Sequence, residues 1–152
     1  WDWDGVHFSV VHPERSFAAR GNESSCVLKV AAAGAVLLLT GDIERRGEAA
    51  VLAESIAADV VVVPHHGSAT SSSVDFVAAV AADYAVVSAG FANRWGFPKP
   101  AVRSRWQERG AVVVVTGESG AVTVVLGRDG VAIGAERDGR HRYWQASVAS
   151  GS

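Results

Sequence analysis

The apolar positions of the chain fall into short runs separated by glycine, proline and small polar residues. In the most compact run, residues 60–63, four consecutive valines stand between Asp59 and Pro64. With no polar alternation, it predicts a strand buried on both faces. Runs at 36–39, 84–88 and 112–115 predict further strands. The opening WDWDGVHFSVVHP alternates, placing Val6, Phe8 and Val10 on one face of a strand ended by Pro13. Residues 25–31 and 35–39 read as a hairpin turning at Ala33 and Gly34. Residues 112–115 and 121–126 read as strands around a turn at 117–120, with 131–135 as a third. Helical spacing appears at 43–57, where Ala49, Leu52, Ala53 and Ile56 would face the sheet. It recurs at 74–81, capped by one of the serines 71–73 with Asp75 in the first turn. A third helix, 101–109, carries Val102 and Trp106 on one face. Residues 15–23 and 88–100 read as loops. The pattern predicts an α/β fold with a mixed sheet of about six or seven strands, helices mainly on one face and an antiparallel hairpin at each end. The other face should be unusually apolar, exposed or self-associating when alone.

Composition narrows the classes. With 152 residues, 49% hydrophobic and 20% charged, the chain suits one globular domain with a real core. A net charge of -2 and a pI near 6.2 exclude a broadly basic nucleic-acid surface, so phosphate contacts would need a local patch or a metal. The lone Cys26 excludes an internal disulfide and reads as a small buried hydrophobe. No run approaches the roughly 18 apolar residues of a membrane span, and the start has no basic region followed by a hydrophobic one, so the expectation is a soluble piece. The absence of methionine suggests a segment of a longer protein. Residues 138–152, with Arg140, His141, Arg142, Tyr143 and Trp144, form a basic, aromatic tail expected to be partly disordered.

Candidate chemistry sits at two strand ends. PHHGS places His65 and His66 beyond the valine strand, where functional groups of open α/β sheets gather. Adjacent imidazoles there can bind metal or give a proton to a leaving oxygen; the alternative is a solvent-facing loop with incidental histidines. In LLLTGDIE, Asp42 alone reads as a helix N-cap. Glu44 adds a second carboxylate, and the histidine pair begins 23 residues after Asp42. A strand, helix, strand crossover would bring both ends to one edge, beside the 93–99 loop. His7 and His12 read as surface or packing residues.

The stretches WDWDGVHFSVVHP, NESSCVLKV, LLLTGDIE, VPHHGSATSSS, VVSAGFANRWGFPKP and RYW together resemble the C-terminal metallo-β-lactamase-like domain of the ComEC family of DNA-internalisation competence proteins. The resemblance implies an αββα fold whose halves meet at a metal cleft, residues 1–137 being its C-terminal half. It implies a nuclease or phosphodiesterase acting on the DNA strand degraded during transformation, with divalent metal (Mn or Zn). Asp42 matches a metal-bridging aspartate, and His65 and His66 match a histidine pair that ligates metal or donates the proton; Glu44 would orient an imidazole. The metal set is then Asp42 and His65, the catalytic set His65, His66 and Glu44. Candidates for substrate contact are Ser68, Asn93, Arg94 and Lys99. The implied partners are single- or double-stranded DNA, the missing N-terminal half of the domain and the rest of a membrane channel protein, with the domain on the periplasmic side of the inner membrane.

Two departures from the family pattern bear on that reading. The histidine-rich principal metal cluster is absent and would lie upstream of Trp1. GFPKP stands where relatives have GHPHP, so Phe97 and Lys99 replace potential ligands, although Lys99 could hold a phosphate. The chain alone is therefore expected to bind metal weakly and not to cleave DNA. The competing expectation is a non-catalytic module that guides DNA or packs on the channel; a small-molecule phosphodiesterase or lactonase is a third.

Overall fold

The computed structural model describes residues 1–14, 17, 18 and 20–137, so the tail expected at 138–152 lies outside the described residues. Seven strands form one mixed sheet in sequential order: β1 (Asp2–Trp3), β2 (Val6–His12), β3 (Val27–Ala32), β4 (Ala35–Leu39), β5 (Val60–Val62), β6 (Tyr84–Val87) and β7 (Val112–Val115). The first four strands pair antiparallel, and β4 through β7 are parallel. The three parallel connections carry α1 (Arg45–Val51), α2 (Val74–Val80) and α3 (Pro100–Glu108). Right-handed crossovers that always step in the same direction must lay their helices on the same face. The core obeys this: Leu38, Val61 and Ala85, neighbours by register, are each 0% exposed and pack with Phe76, Val77, Val80, Val102 and Trp106 from the helices.

The opposite face is apolar across six strands. Register aligns Phe8, Val30, Leu37, Val60, Tyr84 and Val112 in one row and Val10, Leu28, Leu39, Val62, Val86 and Val114 in the next. In the middle of the rows Val60 and Val86 are buried, while Val10 and Val112 at the ends are more than half exposed. Val6, Phe8 and Val10 share one face of β2 as expected, with Val11 on the core side, and a bulge between Val10 and His12 then turns His12 inward, where it is buried. The C-terminal hairpin, β8 (Val122–Gly127) with β9 (Gly130–Ala135), does not extend the large sheet; it forms its own two-stranded sheet, with β8 against β4. The link between β7 and β8 is a helical turn, α4 (Thr116–Ser119).

Two expectations near the site need correction. The helix read over 43–57 is only α1, and its buried side is Gly47, Glu48 and Val51 rather than Ala49, Leu52 and Ala53. Ile43 and Ile56 are buried, but from the loops flanking the helix. Apolar spacing misplaced the face because the residue that fills it is a carboxylate. Cys26 is exposed just before β3, not buried.

Candidate functional site at the ends of the parallel strands

Parallel pairing of β4 and β5 sets residues 40–42 beside residues 63–66. Thr40 Oγ1 donates to the Val62 carbonyl at 2.6 Å, and the His65 amide donates to the Gly41 carbonyl at 3.1 Å. Gly41 turns with φ +57°, and a Cβ there would lie 2.8 Å from the Ser25 Cβ, so a glycine is required. Gly67 is constrained likewise: with φ +78°, its added Cβ would meet the Pro98 Cβ at 2.6 Å, and its carbonyl accepts from the Lys99 amide. The histidine turn and the 88–100 loop are therefore packed backbone to backbone.

His65 (φ 48°, ψ 42°) and His66 (φ 55°, ψ 20°) are both left-handed. That conformation costs a non-glycine residue about 1–2 kcal/mol, and such cost collects at functional sites. Here it brings both rings to one cleft of about 460 Å³, lined also by Asn22, Asp42, Asn93 and Phe97. His66 Nδ1 donates to the Ser88 carbonyl at 2.7 Å, which in the neutral ring leaves the Nε2 lone pair 3.6 Å from Asp42 Oδ1. Both groups are nearly half exposed. His65 Nδ1 lies 2.9 Å from Glu44 Oε1, close enough for an ion pair but out of line for a hydrogen bond, while its Nε2 is 3.5 Å from Asn22 Nδ2.

His66 Nε2 and Asp42 fit two corners of a metal site. Both face one gap, and the far nitrogen of the imidazole is held by a carbonyl, the arrangement that aims a ligating histidine. A catalytic metal usually needs a third protein donor. Among the described residues, no group of three or more His, Cys, Asp or Glu side chains could hold an ion.

The other candidates separate. The structure pairs Asp42 with His66, and His65 with Glu44. Asn93 lines the cleft, but its amide is spent on the Gly90 and Phe97 backbone. Lys99 Nζ donates to the Trp95 carbonyl at 2.5 Å, and exposed Arg94 lies over Trp95, its guanidinium carbon 4.4 Å from the ring centroid. Ser68 is buried and bonded to Thr70, outside the cleft lining. Outside the cleft, His12 is 1% exposed and donates to the Glu23 carbonyl, while exposed His7 pairs with Asp2.

Sequence reasoning passed over two carboxylates that hold this edge together. Glu23 accepts from the amides of Glu44, Arg46 and Gly47, the last at 2.6 Å, and so caps α1 from a distance. Glu48, 0% exposed, accepts from the amides of Ser72 and Ser73. Burial pushes its carboxyl above the usual range, the nearby Glu23 charge adds to this, and the serine hydrogen bonds oppose it. Ser72 is tied further, its hydroxyl accepting from Trp106 Nε1 and its carbonyl from Arg105. A glutamate four residues after Glu44 was the only available signal.

No family model matches the chain. It is 41% identical over 148 residues to "Competence protein ComA" of Neisseria gonorrhoeae, covering 95% of this chain and 21% of that protein. It is 34% identical over 148 residues to "Recombination protein 2" of Haemophilus influenzae, covering 97% of this chain and 19% of that protein. With "ComE operon protein 3" of Bacillus subtilis it shares 35% identity over 116 residues, 75% of this chain and 15% of that protein. The chain thus spans about a fifth or less of the length of these relatives, and it belongs, as a homologue of one segment, to the ComEC family of competence proteins.

Proposed function

We propose that this chain supplies one wall of a metal-dependent phosphodiesterase site in a DNA-uptake protein. The observation that carries the reading is the convergence of Asp42 and His66 on one gap at the strand ends, with the His65 and Glu44 pair beside it. Asp42 and His66 Nε2 would hold the ion together with donors from a preceding segment of the parent protein. Once bound, divalent metal would polarise the phosphoryl oxygens and make water nucleophilic near neutral pH. The chain's own part is orientation and proton supply. The Ser88 carbonyl fixes the His66 ring, and Glu44, 2.9 Å from His65 Nδ1, orients the His65 ring toward a leaving oxygen that it would protonate. The apolar second face of the sheet would pack on the preceding segment, and the domain would sit on the periplasmic side of the inner membrane. Among the described residues, no helix is long and apolar enough to cross a membrane.

A second reading, a DNA-guiding module without catalysis, is favoured by one observation. Phe97 stacks toward His66 at 6.5 Å, filling cleft wall with a ring that cannot ligate metal. Calorimetric titration with manganese and zinc, paired with a nuclease assay, separates the two on this chain and on a version extended upstream. Metal uptake and cleavage by the extended version, lost in Asp42→Ala and His66→Ala, support the hydrolase. Inactivity of both versions leaves the guiding module.

A further inference from the structure

The outer surface of the 88–100 loop is left without a role by the hydrolytic groups alone. Trp95, 56% exposed, stands at the mouth of the histidine cleft. Outward from the cleft the rings lie near parallel, His66 to Phe97 at 6.5 Å and 23°, then Phe97 to Trp95 at 6.4 Å and 12°. The guanidinium of Arg94 sits on Trp95, and the Lys99 ammonium is 5.4 Å from the Phe97 ring centroid.

This surface is built rather than loose. The Asn93 side chain bonds the backbone of Gly90 and Phe97, Lys99 holds the Trp95 carbonyl, and Pro98 rests on Gly67. A rigid row of π faces edged by two cations suits an unpaired base, which stacks whatever its sequence. Paired bases in a duplex keep their faces to themselves. Binding to a duplex relies on broad positive charge, and the chain carries a net -2.

We propose that Trp95, with Arg94 beside it, forms a stacking platform that holds unpaired bases of single-stranded DNA and delivers the adjoining phosphodiester to the Asp42 and His66 cleft. The proposal rests on the phosphodiesterase reading and deepens it by naming a single strand as what enters the cleft.

The test is fluorescence anisotropy of a labelled oligothymidylate of about ten nucleotides, a length set by typical single-strand site sizes. This chain is titrated at low salt with chelator present, so that metal contributes nothing. Trp95→Ala should weaken binding by about 5- to 100-fold, the range for losing one stacking aromatic, and Trp95→Phe should largely restore it. Val125→Ala, at an equally exposed apolar residue on the far hairpin, should give no loss. A blunt duplex should bind at least about tenfold more weakly. Unchanged binding by a Trp95→Ala variant with the parent's circular dichroism, equal affinity for duplex, or no oligonucleotide binding at all overturns the platform. The two readings fail separately: hydrolysis of a base-free phosphodiester by the extended version, with no Trp95 dependence of DNA binding, removes this inference alone. Trp95-dependent binding without hydrolysis removes the hydrolase alone.

Discussion

Two carboxylate clusters meet the same segment, residues 64–73, and they are built oppositely. At its far end Glu48 is wholly buried and holds the Ser72 and Ser73 amides, and Ser72 is itself anchored by Trp106 and Arg105. At its near end Asp42 and His66 are nearly half exposed and face each other across 3.6 Å with capacity to spare. A buried acceptor with its donors matched makes the chain rigid, because unmatching them is expensive. An exposed lone pair beside a carboxylate contributes little to stability and remains free for an ion or a phosphate. The comparison teaches that the strained histidine turn is held in place from behind, by a group that takes no part in its chemistry.

That contrast can be broken by substitution. The largest effect expected is from Glu48→Ala, which strands two buried amides and should cost about 3 kcal/mol of unfolding free energy in a denaturant titration. Asp42→Ala should stay within about 0.5 kcal/mol in the same titration. A loss at Asp42 equal to that at Glu48 would erase the distinction. Glu23→Ala removes the distant cap of α1 and should cost about 1–2 kcal/mol, visible as a lowered midpoint without change in slope.

The pH dependence follows from the raised Glu48 carboxyl. The folded protein keeps this proton through a window in which the unfolded chain has already released its own. The contribution of the group is therefore full below the ordinary glutamate range, falls as pH rises through the raised value, and is level above it. Comparing the stability profiles of the parent and Glu48→Gln over that window checks the sign; a parent profile rising with pH relative to the variant contradicts it. The smallest effect is expected from His66→Gly. Relief of the left-handed backbone should offset the lost Ser88 contact, leaving stability equal or slightly higher while metal binding by the extended version falls.

Much of the sheet was legible because its signals are local. Valine runs bounded by Asp59 and Pro64, the Ala33 and Gly34 turn, and Ser73 before α2 all state their structure within a few residues. The site was legible as a location, since strand ends in a crossover must share an edge, and the structure brings Asp42, His65 and His66 to one cleft. It was not legible as a set of pairings. Nothing in HHGS says that His66 rather than His65 turns to Asp42, because the choice depends on two left-handed residues and on the Ser88 carbonyl of another strand.

The amino-acid sequence by itself determined the strand and helix order, the apolar second face and the place where polar chemistry gathers. These follow from periodicity and from the chirality of crossovers, which act within a single unit of chain. Only the tertiary structure decided that the last hairpin leaves the main sheet, that a bulge after Val10 buries His12, and that Glu23 and Glu48 brace α1 and the 71–73 segment. Each of these depends on which distant backbone group is left without a partner, and that is settled only when the whole chain has closed around it.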